Sequence, residues 1–95
     1  MPAYLIAHST ITDSEKFQKY VSASEDSLSL YGGKYLLGGS VTQVLEGNHD
    51  KSRTIIFQFP SAEHAKDWYG STEYQSVKPL RDNTGVFDFV VLDSF

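Results

Sequence analysis

The sequence predicts an α+β domain in which four strands and two helical regions follow one another in the order βαββαβ. Short apolar segments rich in strand-forming residues lie near both ends of the chain, at Ala3–Thr10 and Val86–Leu92. Apolar residues recur at helical spacing after Thr12 and again after Ser61, and two more strand-like segments lie between these regions. This order is typical of a four-stranded antiparallel sheet with both helices on one face, the ferredoxin-like arrangement.

Composition limits the classes of function that the protein can serve. Its 95 residues, with 40% hydrophobic and 14% aromatic side chains, suffice for one domain that spans residues 1–95. The formal net charge is −4 and no basic cluster occurs, which argues against a nucleic-acid partner. The third strand also lacks the glycine and aromatic pattern of RNA-recognition motifs, which share this element order. The absence of cysteine excludes disulfides, thiolate zinc sites and thiol nucleophiles.

The N-terminal segment, Met1–His8, has no charged start and too short an apolar run for a signal peptide. No stretch of the chain approaches the roughly 20 apolar residues that a membrane span needs. We therefore expect a soluble cytoplasmic protein without a membrane partner.

Local signals predict the first strand and the first helix. Ala3–Thr10 is the strand, and Thr12 with Glu15 three positions later forms a capping-box pattern that starts the helix. Apolar residues then recur at helical spacing, with charged residues mostly on the other side. Gly32-Gly33 ends the helix, because glycine adopts the left-handed conformation of a helix C-terminus without a steric penalty.

A hairpin is predicted in the middle of the chain. Its strands are Lys34–Glu46 and Arg53–Phe59, joined by the polar turn Gly47–Asp50. Within the first of these strands, Gly38-Gly39-Ser40 indicates either a β-bulge or a place where another group approaches the backbone closely.

The second helical region is predicted in two parts. Pro60-Ser61 starts the first part, in which Ala62, Ala65 and Tyr69 face inward, and a break at Gly70 ends it. The second part restarts at residue 71 or 72.

Proline and a turn limit the second part of this helical region. Pro79 would cost about 3 kcal/mol in a regular helix interior, so we expect a kink or an early end there. Asn83-Thr84-Gly85 then turns the chain into the fourth strand, Val86–Leu92.

The predicted strands are apolar on both faces, although two helices can cover only one of them. A sheet with one solvated face should alternate apolar and polar residues, and this one largely does not. The opposed sets are Phe87, Phe89 and Val91 against Val86, Val90 and Leu92; Leu5 and Ala7 against Tyr4 and Ile6; and Ile55, Phe57 and Phe59 against Ile56. We therefore expect a two-fold homodimer that buries the second face, the alternative being a monomer with an apolar sheet surface.

The segment Phe57–Gln75 has the pattern F-x-F-P-S-x-E-x-A-x-x-W-Y-x-S-x-E-Y-Q. This pattern resembles the signature of a small bacterial family described as domain of unknown function 1330, in the dimeric α+β-barrel superfamily. The resemblance covers nearly the whole chain and includes Ala3–Ala7, Thr12-Asp13, Gly32–Leu36 and Val44–Gly47.

The resemblance implies a ferredoxin-like protomer and a dimer with back-to-back sheets. It implies little about chemistry, because the family is uncharacterised. Relatives elsewhere in the superfamily include cofactor-free monooxygenases, haem-degrading enzymes, lactone isomerases and chlorite dismutase-like proteins. Their ligands commonly lie between the helices and the sheet of each protomer. Nothing in the residues of this chain points to a cofactor.

Histidine is the natural candidate for a general base. His8 ends a central strand, where its side chain would face the cleft beneath the helices; the alternative is a partly exposed histidine that makes one hydrogen bond. His64 is expected on the surface of a helix and His49 in a solvated turn. The three histidines have no metal-ligand spacing, so no metal site is predicted.

A second set of candidates would bind a small planar ligand. Trp68, Tyr69 and Tyr74 combine large apolar rings with polar tips, and Tyr35 is a further candidate. The alternative is ordinary packing of the second helix on the sheet. For Arg81 three roles are open: capping helix carbonyls, pairing with a carboxylate across the dimer, or binding an anionic substrate.

Three functions are consistent with the sequence. The first is a homodimeric module with a modest apolar cleft that holds a small organic molecule. The second is a cofactor-free oxygenase or isomerase in which His8 is the base. The third is a dimer without a ligand. Fold analogy carries most of the enzymatic hypothesis, and fold does not determine function.

Overall fold

The computed structural model describes residues 1–95. No helix in it is long and apolar enough to span a membrane. The elements in chain order are β1 Ala3–Ile11, α1 Ser14–Leu30, β2 Lys34–Ser40, β3 Arg53–Phe59, α2 Ala62–Gly70, α3 Thr72–Val77, a 3₁₀ turn Lys78–Arg81, and β4 Gly85–Asp93.

The four strands form one antiparallel sheet in the order β2-β3-β1-β4, so that β1 is central and pairs with both β3 and β4. Ala7, for example, is opposite Ile55 on one side and Phe89 on the other. The helices cover one face of this sheet. The predicted ferredoxin-like arrangement is confirmed.

The strand β2 is shorter than predicted. It ends at Ser40, which pairs with Arg53 at the start of β3, and the segment up to Glu46 is not strand. Past Ser40 only one backbone bond continues the pairing, from Val41 N to Ser52 O at 2.8 Å. The prediction of a strand to Glu46 is therefore wrong, because a strand needs a partner along its length.

The irregularity of β2 lies earlier than the paired glycines. The register shifts between Tyr35 and Leu37, whereas Gly38 and Gly39 pair regularly with β3. The bulge anticipated at the glycines is thus displaced by two residues toward the start of the strand.

The helix α1 begins one residue later than the predicted capping box. The Asp13 carboxylate, not the Thr12 hydroxyl, accepts the capping hydrogen bond from Lys16 N, at 3.0 Å. At the other end Gly32 has φ 77°, and Gly33 N donates to Leu28 O at 2.8 Å. The glycine pair ends the helix as predicted.

Serine residues separate and start the two short helices. Ser61 caps α2, and Ser71 both follows α2 and caps α3, with its Oγ accepting from Tyr74 N at 3.0 Å. The α-helix ends at Val77, and Pro79 lies in the following 3₁₀ turn, so the predicted early end is confirmed.

The core lies between the helices and β1, β3 and β4. It consists of the buried side chains Leu5, Phe17, Tyr20, Phe59, Ala65, Trp68 and Tyr74. Tyr69, predicted to face inward, is 38% exposed, and Trp68 takes the inward position of α2 instead.

The two faces of the sheet follow the predicted alternation. The helix face carries the buried residues Leu5 and Ala7 of β1, and the opposite face carries the residues between them. We call that opposite side the open face; its apolar members are Tyr4, Ile6, Leu37, Ile56, Val86, Val90 and Leu92.

Candidate functional site

The most enclosed concave feature is a cleft between α1 and the helix face of the sheet, which we call the α1–sheet cleft. Its volume is about 640 Å3 and most of its lining is hydrophobic. It exists because α1 packs mainly along α3 and the 3₁₀ turn. The helix face of β2 and β3, with Tyr35, Ile55 and Phe57, is therefore only partly covered.

Trp68 forms the inner wall of this cleft. Its ring is 2% exposed and packs against Phe59 and Tyr74, at centroid distances of 5.9 and 4.2 Å. Its Nε1 donates a hydrogen bond of 3.1 Å to Ser27 Oγ on α1. The predicted ligand-binding residue is thus at the cleft, but its polar tip is already bonded within the core.

Tyr74 lies behind the cleft and does not line it. It is 0% exposed, and its hydroxyl shares a hydrogen bond of 2.8 Å with the hydroxyl of Tyr20, which does line the cleft. Burial is the main cause that raises the pKa of both tyrosines, partly opposed by the positive charge of Arg81. Both hydroxyls are therefore neutral at physiological pH, and neither is a base.

Tyr69 and Arg81 lie in a second, neighbouring pocket of about 600 Å3 on the β4 side of the helices. The guanidinium carbon of Arg81 is 4.6 Å from the ring centroids of both Phe87 and Phe89. These two phenylalanines line both pockets and form the wall between them.

Tyr35 lies at the outer rim of the α1–sheet cleft. It projects from the edge strand β2, is 65% exposed, and meets the ring of Phe57 edge-on at 6.3 Å. Of the five side chains predicted to bind a ligand, two line the cleft, two line the neighbouring pocket, and one is buried.

His8 lies on the open face, so the expectation that it faces the cleft is wrong. Its neighbours Ala7 and Ser9 point to the helices, and the alternation of a strand turns the residue between them to the other side. His8 Nδ1 shares a hydrogen bond of 3.0 Å with Thr54 Oγ1, and its ring is 5.0 Å from that of His49. The alternative interpretation, a partly exposed histidine with one hydrogen bond, describes it.

Arg53 is a cleft residue that sequence reasoning missed. It is the only basic residue on the lining, and its guanidinium carbon is 5.4 Å from the centroid of the Phe17 ring. Its position follows from the alternation of β3, because Arg53 is two and four residues from Ile55 and Phe57 and therefore shares their face. No group of three His, Asp or Glu side chains is placed to hold a metal ion.

The family model described as Domain of unknown function (DUF1330) matches residues 2–95, so the chain belongs to that family. The comparison with curated proteins gives no match.

Several solved structures are similar over nearly the whole chain. A protein of unknown function from Rhodopseudomonas palustris has 16% identity and a TM-score of 0.82, with 99% of this chain and 82% of that chain covered. SnoaB, a cofactor-independent oxygenase from Streptomyces nogalater, has 7% identity and a TM-score of 0.70, with coverages of 99% and 93%. A dimeric ferredoxin-like protein of unknown function from Bacteroides fragilis has 11% identity and a TM-score of 0.60, with coverages of 98% and 96%.

At these identities the similarity establishes the fold alone. It agrees with the ferredoxin-like arrangement that the element order predicted.

Proposed function

We propose that this protein is a homodimer that binds a small organic molecule in the α1–sheet cleft of each protomer. The observation that carries the proposal is the cleft itself. A space of about 640 Å3 beside Trp68 and Phe57 falls within the range of small-molecule sites, which are usually concave and mostly apolar. A purely structural dimer would be expected to fill that space with side chains.

The open face supports the dimer. On β4, Val86, Val90 and Leu92 are 56%, 44% and 49% exposed, and on β2 Leu37 is 52% exposed. Together with Ile6 and Ile56 they make a contiguous apolar surface of a kind that monomers rarely leave in water. Structurally similar proteins described as dimeric and ferredoxin-like give the proposal further support.

Trp68 allows the binding proposal to be tested at the cleft. It is the only tryptophan, so energy transfer from it reports a fluorophore bound to the protomer, and the variants described next locate that fluorophore at the cleft. The probe is N-phenyl-1-naphthylamine, an uncharged aromatic that becomes fluorescent in apolar surroundings. We expect saturable binding, with one probe per protomer and quenching of Trp68.

A substitution on the cleft floor provides the matched comparison. Ala7→Leu adds volume to the floor and should weaken probe binding about tenfold, whereas Ala23→Leu makes the same change on the outer surface of α1 and should have little effect. Native mass spectrometry of freshly purified protein gives the assembly and any retained ligand. No saturable binding in the wild type, or equal effects of the two variants, contradicts the binding proposal, and a monomer at micromolar concentration contradicts the dimer.

A cofactor-free oxygenase is the second candidate. The specific support is the fold of SnoaB, which is described as a cofactor-independent oxygenase. In such a reaction the substrate itself would supply the electrons that reduce O2, so the cleft would need to stabilise an electron-rich or deprotonated substrate. His8 is on the other face of the sheet, and the titratable residues on the cleft lining are Tyr20, Glu25, Tyr35 and Arg53.

Oxygen consumption distinguishes an enzyme from a binding module. The purified protein is incubated in air with a panel of small phenols and 1,3-dicarbonyl compounds, without added metal or cofactor. Uptake that exceeds the uncatalysed rate and is reduced by Ala7→Leu but not by Ala23→Leu supports the oxygenase. If oxygen uptake equals the uncatalysed rate for every compound that displaces the fluorescent probe, the oxygenase is contradicted and the binding module is supported.

A further inference from the structure

We infer that the ligand of the α1–sheet cleft is an organic anion with a flat apolar body, and that Arg53 binds its anionic group. The inference rests on the proposed function, since it names the class of ligand that the same cleft would hold. Its basis is the position of one basic side chain within a mostly apolar lining.

Arg53 has no carboxylate partner. The ion pairs of the chain join Lys51 to Asp50 and Asp88, and Lys66 to Glu63. The guanidinium of Arg53 instead lies over the ring of Phe17. A guanidinium has five N–H donors, and one that stacks on a ring keeps those in its plane free for another partner.

The stacking holds this cation at a defined place. Phe17 is itself fixed, because its ring stacks on Phe87 at a centroid distance of 5.7 Å and an interplanar angle of 24°. Ser9 lies beside Arg53 in the sheet register and also lines the cleft, so a hydroxyl accompanies the guanidinium. The two donors lie together on a lining that is mostly, though not wholly, hydrophobic.

The cleft has a charge polarity along α1. Glu25, the one acidic residue on its lining, is eight residues after Phe17, which corresponds to about 12 Å along the helix axis. Arg53 is thus at one end and Glu25 toward the other. An anionic group would be attracted to the Arg53 end, and the flat body would extend over Phe57 toward Trp68.

An arginine on a mostly hydrophobic lining is informative because of its surroundings. Only Lys51 and Lys66 of the eight lysine and arginine side chains form ion pairs, so the lack of one at Arg53 is ordinary, but it leaves the guanidinium free to bind an anion inside the cleft. A carboxylate, sulfonate or enolate oxygen would gain charge-assisted hydrogen bonds, which are stronger in an apolar cleft than in water. Such an anion would supply the hydrogen-bond acceptor that the Arg53 guanidinium does not have within the protein.

Two matched fluorophores test the class of ligand. 8-Anilinonaphthalene-1-sulfonate is N-phenyl-1-naphthylamine with one added sulfonate, so the two probes share the apolar body and differ in charge. The affinities of both are measured by titration, with energy transfer from Trp68 as the readout.

Arg53→Gln should lower the affinity for the sulfonate about tenfold, since a charge-assisted hydrogen bond is lost, and change that for the uncharged probe less than about twofold. Lys19→Gln removes the same charge from the exposed side of α1 and should leave both affinities unchanged. Arg53→Lys should recover part of the sulfonate affinity, because it keeps the charge but not the planar donor geometry.

The outcomes separate this inference from the proposed function. Binding of the uncharged probe without an Arg53-dependent preference for the sulfonate overturns the inference and leaves the binding cleft. A loss of sulfonate affinity in Arg81→Gln but not in Arg53→Gln places the anion in the neighbouring pocket and overturns the assignment to Arg53. If neither probe binds to the wild type, both proposals fail.

Discussion

The hydroxyls of Tyr20 on α1 and Tyr74 on α3 form a hydrogen bond with each other in the core. The hydroxyl oxygens are 2.8 Å apart, and both residues are buried. Removing one hydroxyl leaves the other without its partner in an apolar region, whereas removing both leaves two phenylalanine rings that pack against each other.

A double-mutant cycle on this pair should therefore be strongly non-additive. We expect Tyr20→Phe and Tyr74→Phe each to lower the free energy of unfolding by about 1–3 kcal/mol, and the double variant to lose clearly less than the sum. Urea denaturation followed by circular dichroism measures the free energy of unfolding of the two single variants and the double variant. Additive losses would mean that each hydroxyl is satisfied independently of the other.

The same pair predicts a loss of stability at alkaline pH. Burial raises the pKa of both tyrosines in the folded state above the value of about 10 that they have in the unfolded chain. Below pH ~10 both states hold the protons, but above it the unfolded state loses them first and binds fewer protons. The free energy of unfolding should then fall by up to about 1.4 kcal/mol per pH unit for each tyrosine.

The double phenylalanine variant is the control for this pH dependence. All other ionisable groups are common to the two proteins, so the difference between the two slopes above pH ~10 isolates the tyrosine pair. Urea midpoints measured from neutral to alkaline pH should converge as the pH rises. Parallel curves would show that this pair does not titrate differently on unfolding.

At the scale of single elements, β4 depends on a glycine where it first pairs with β1. A Cβ at Gly85 would collide with the carbonyl oxygen of Thr10 in the neighbouring strand. A Cβ added at Gly39 in β2 would have no neighbouring atom within 4 Å, so this glycine offers a matched comparison.

Gly85→Ala should lower the free energy of unfolding by about 1–3 kcal/mol, because the strands must separate locally to admit the methyl group. Gly39→Ala should change it by less than about 0.5 kcal/mol. Urea denaturation of the two variants decides between these expectations. Equal effects would mean that the strand pair adjusts without cost.

The elements differ in how far the sequence could predict them. The bounds of β3 and the end of α3 before Pro79 follow from local composition and from the missing N–H of proline. The end of β2 does not, because Val41–Glu46 has the composition of a strand but lacks a partner strand. Pairing is a property of two segments, and the residues of one cannot reveal it.

The candidate site was predictable only in part, for a related reason. In β1 both alternating sets are apolar, so the pattern could not tell which set faces the helices, and His8 was assigned to the wrong side. The buried set is the one with the small residues Ala3 and Ala7, which let the helices approach closely. Arg53 was missed because a charged residue at the start of a strand is usually solvated.

For the whole molecule, the testable feature is the open face, through which the proposed dimer would form. A lysine in place of Val90 would put a charge on the edge strand β4 of that face, beside Ile6 of the central strand β1, where a second copy packed on the proposed interface would have to desolvate it. We expect Val90→Lys to be a folded monomer by light scattering after size exclusion, with an unchanged far-ultraviolet spectrum.

Leu30→Lys is the matched control for the assembly. Leu30 is 68% exposed at the end of α1, on the opposite side of the sheet, so the same change should leave the proposed dimer intact. A Val90→Lys variant that remains dimeric would show that the copies associate through another surface.

The strand order also has a consequence for how the chain is made. β1 is synthesised before its partners β3 and β4, and Ala3 finally pairs with Asp93. Pairings between such distant segments form slowly, because a long loop must close before any contact rewards it. During synthesis β1 therefore stays unpaired until β3 has been made, and its apolar residues are exposed to non-native contacts for that time.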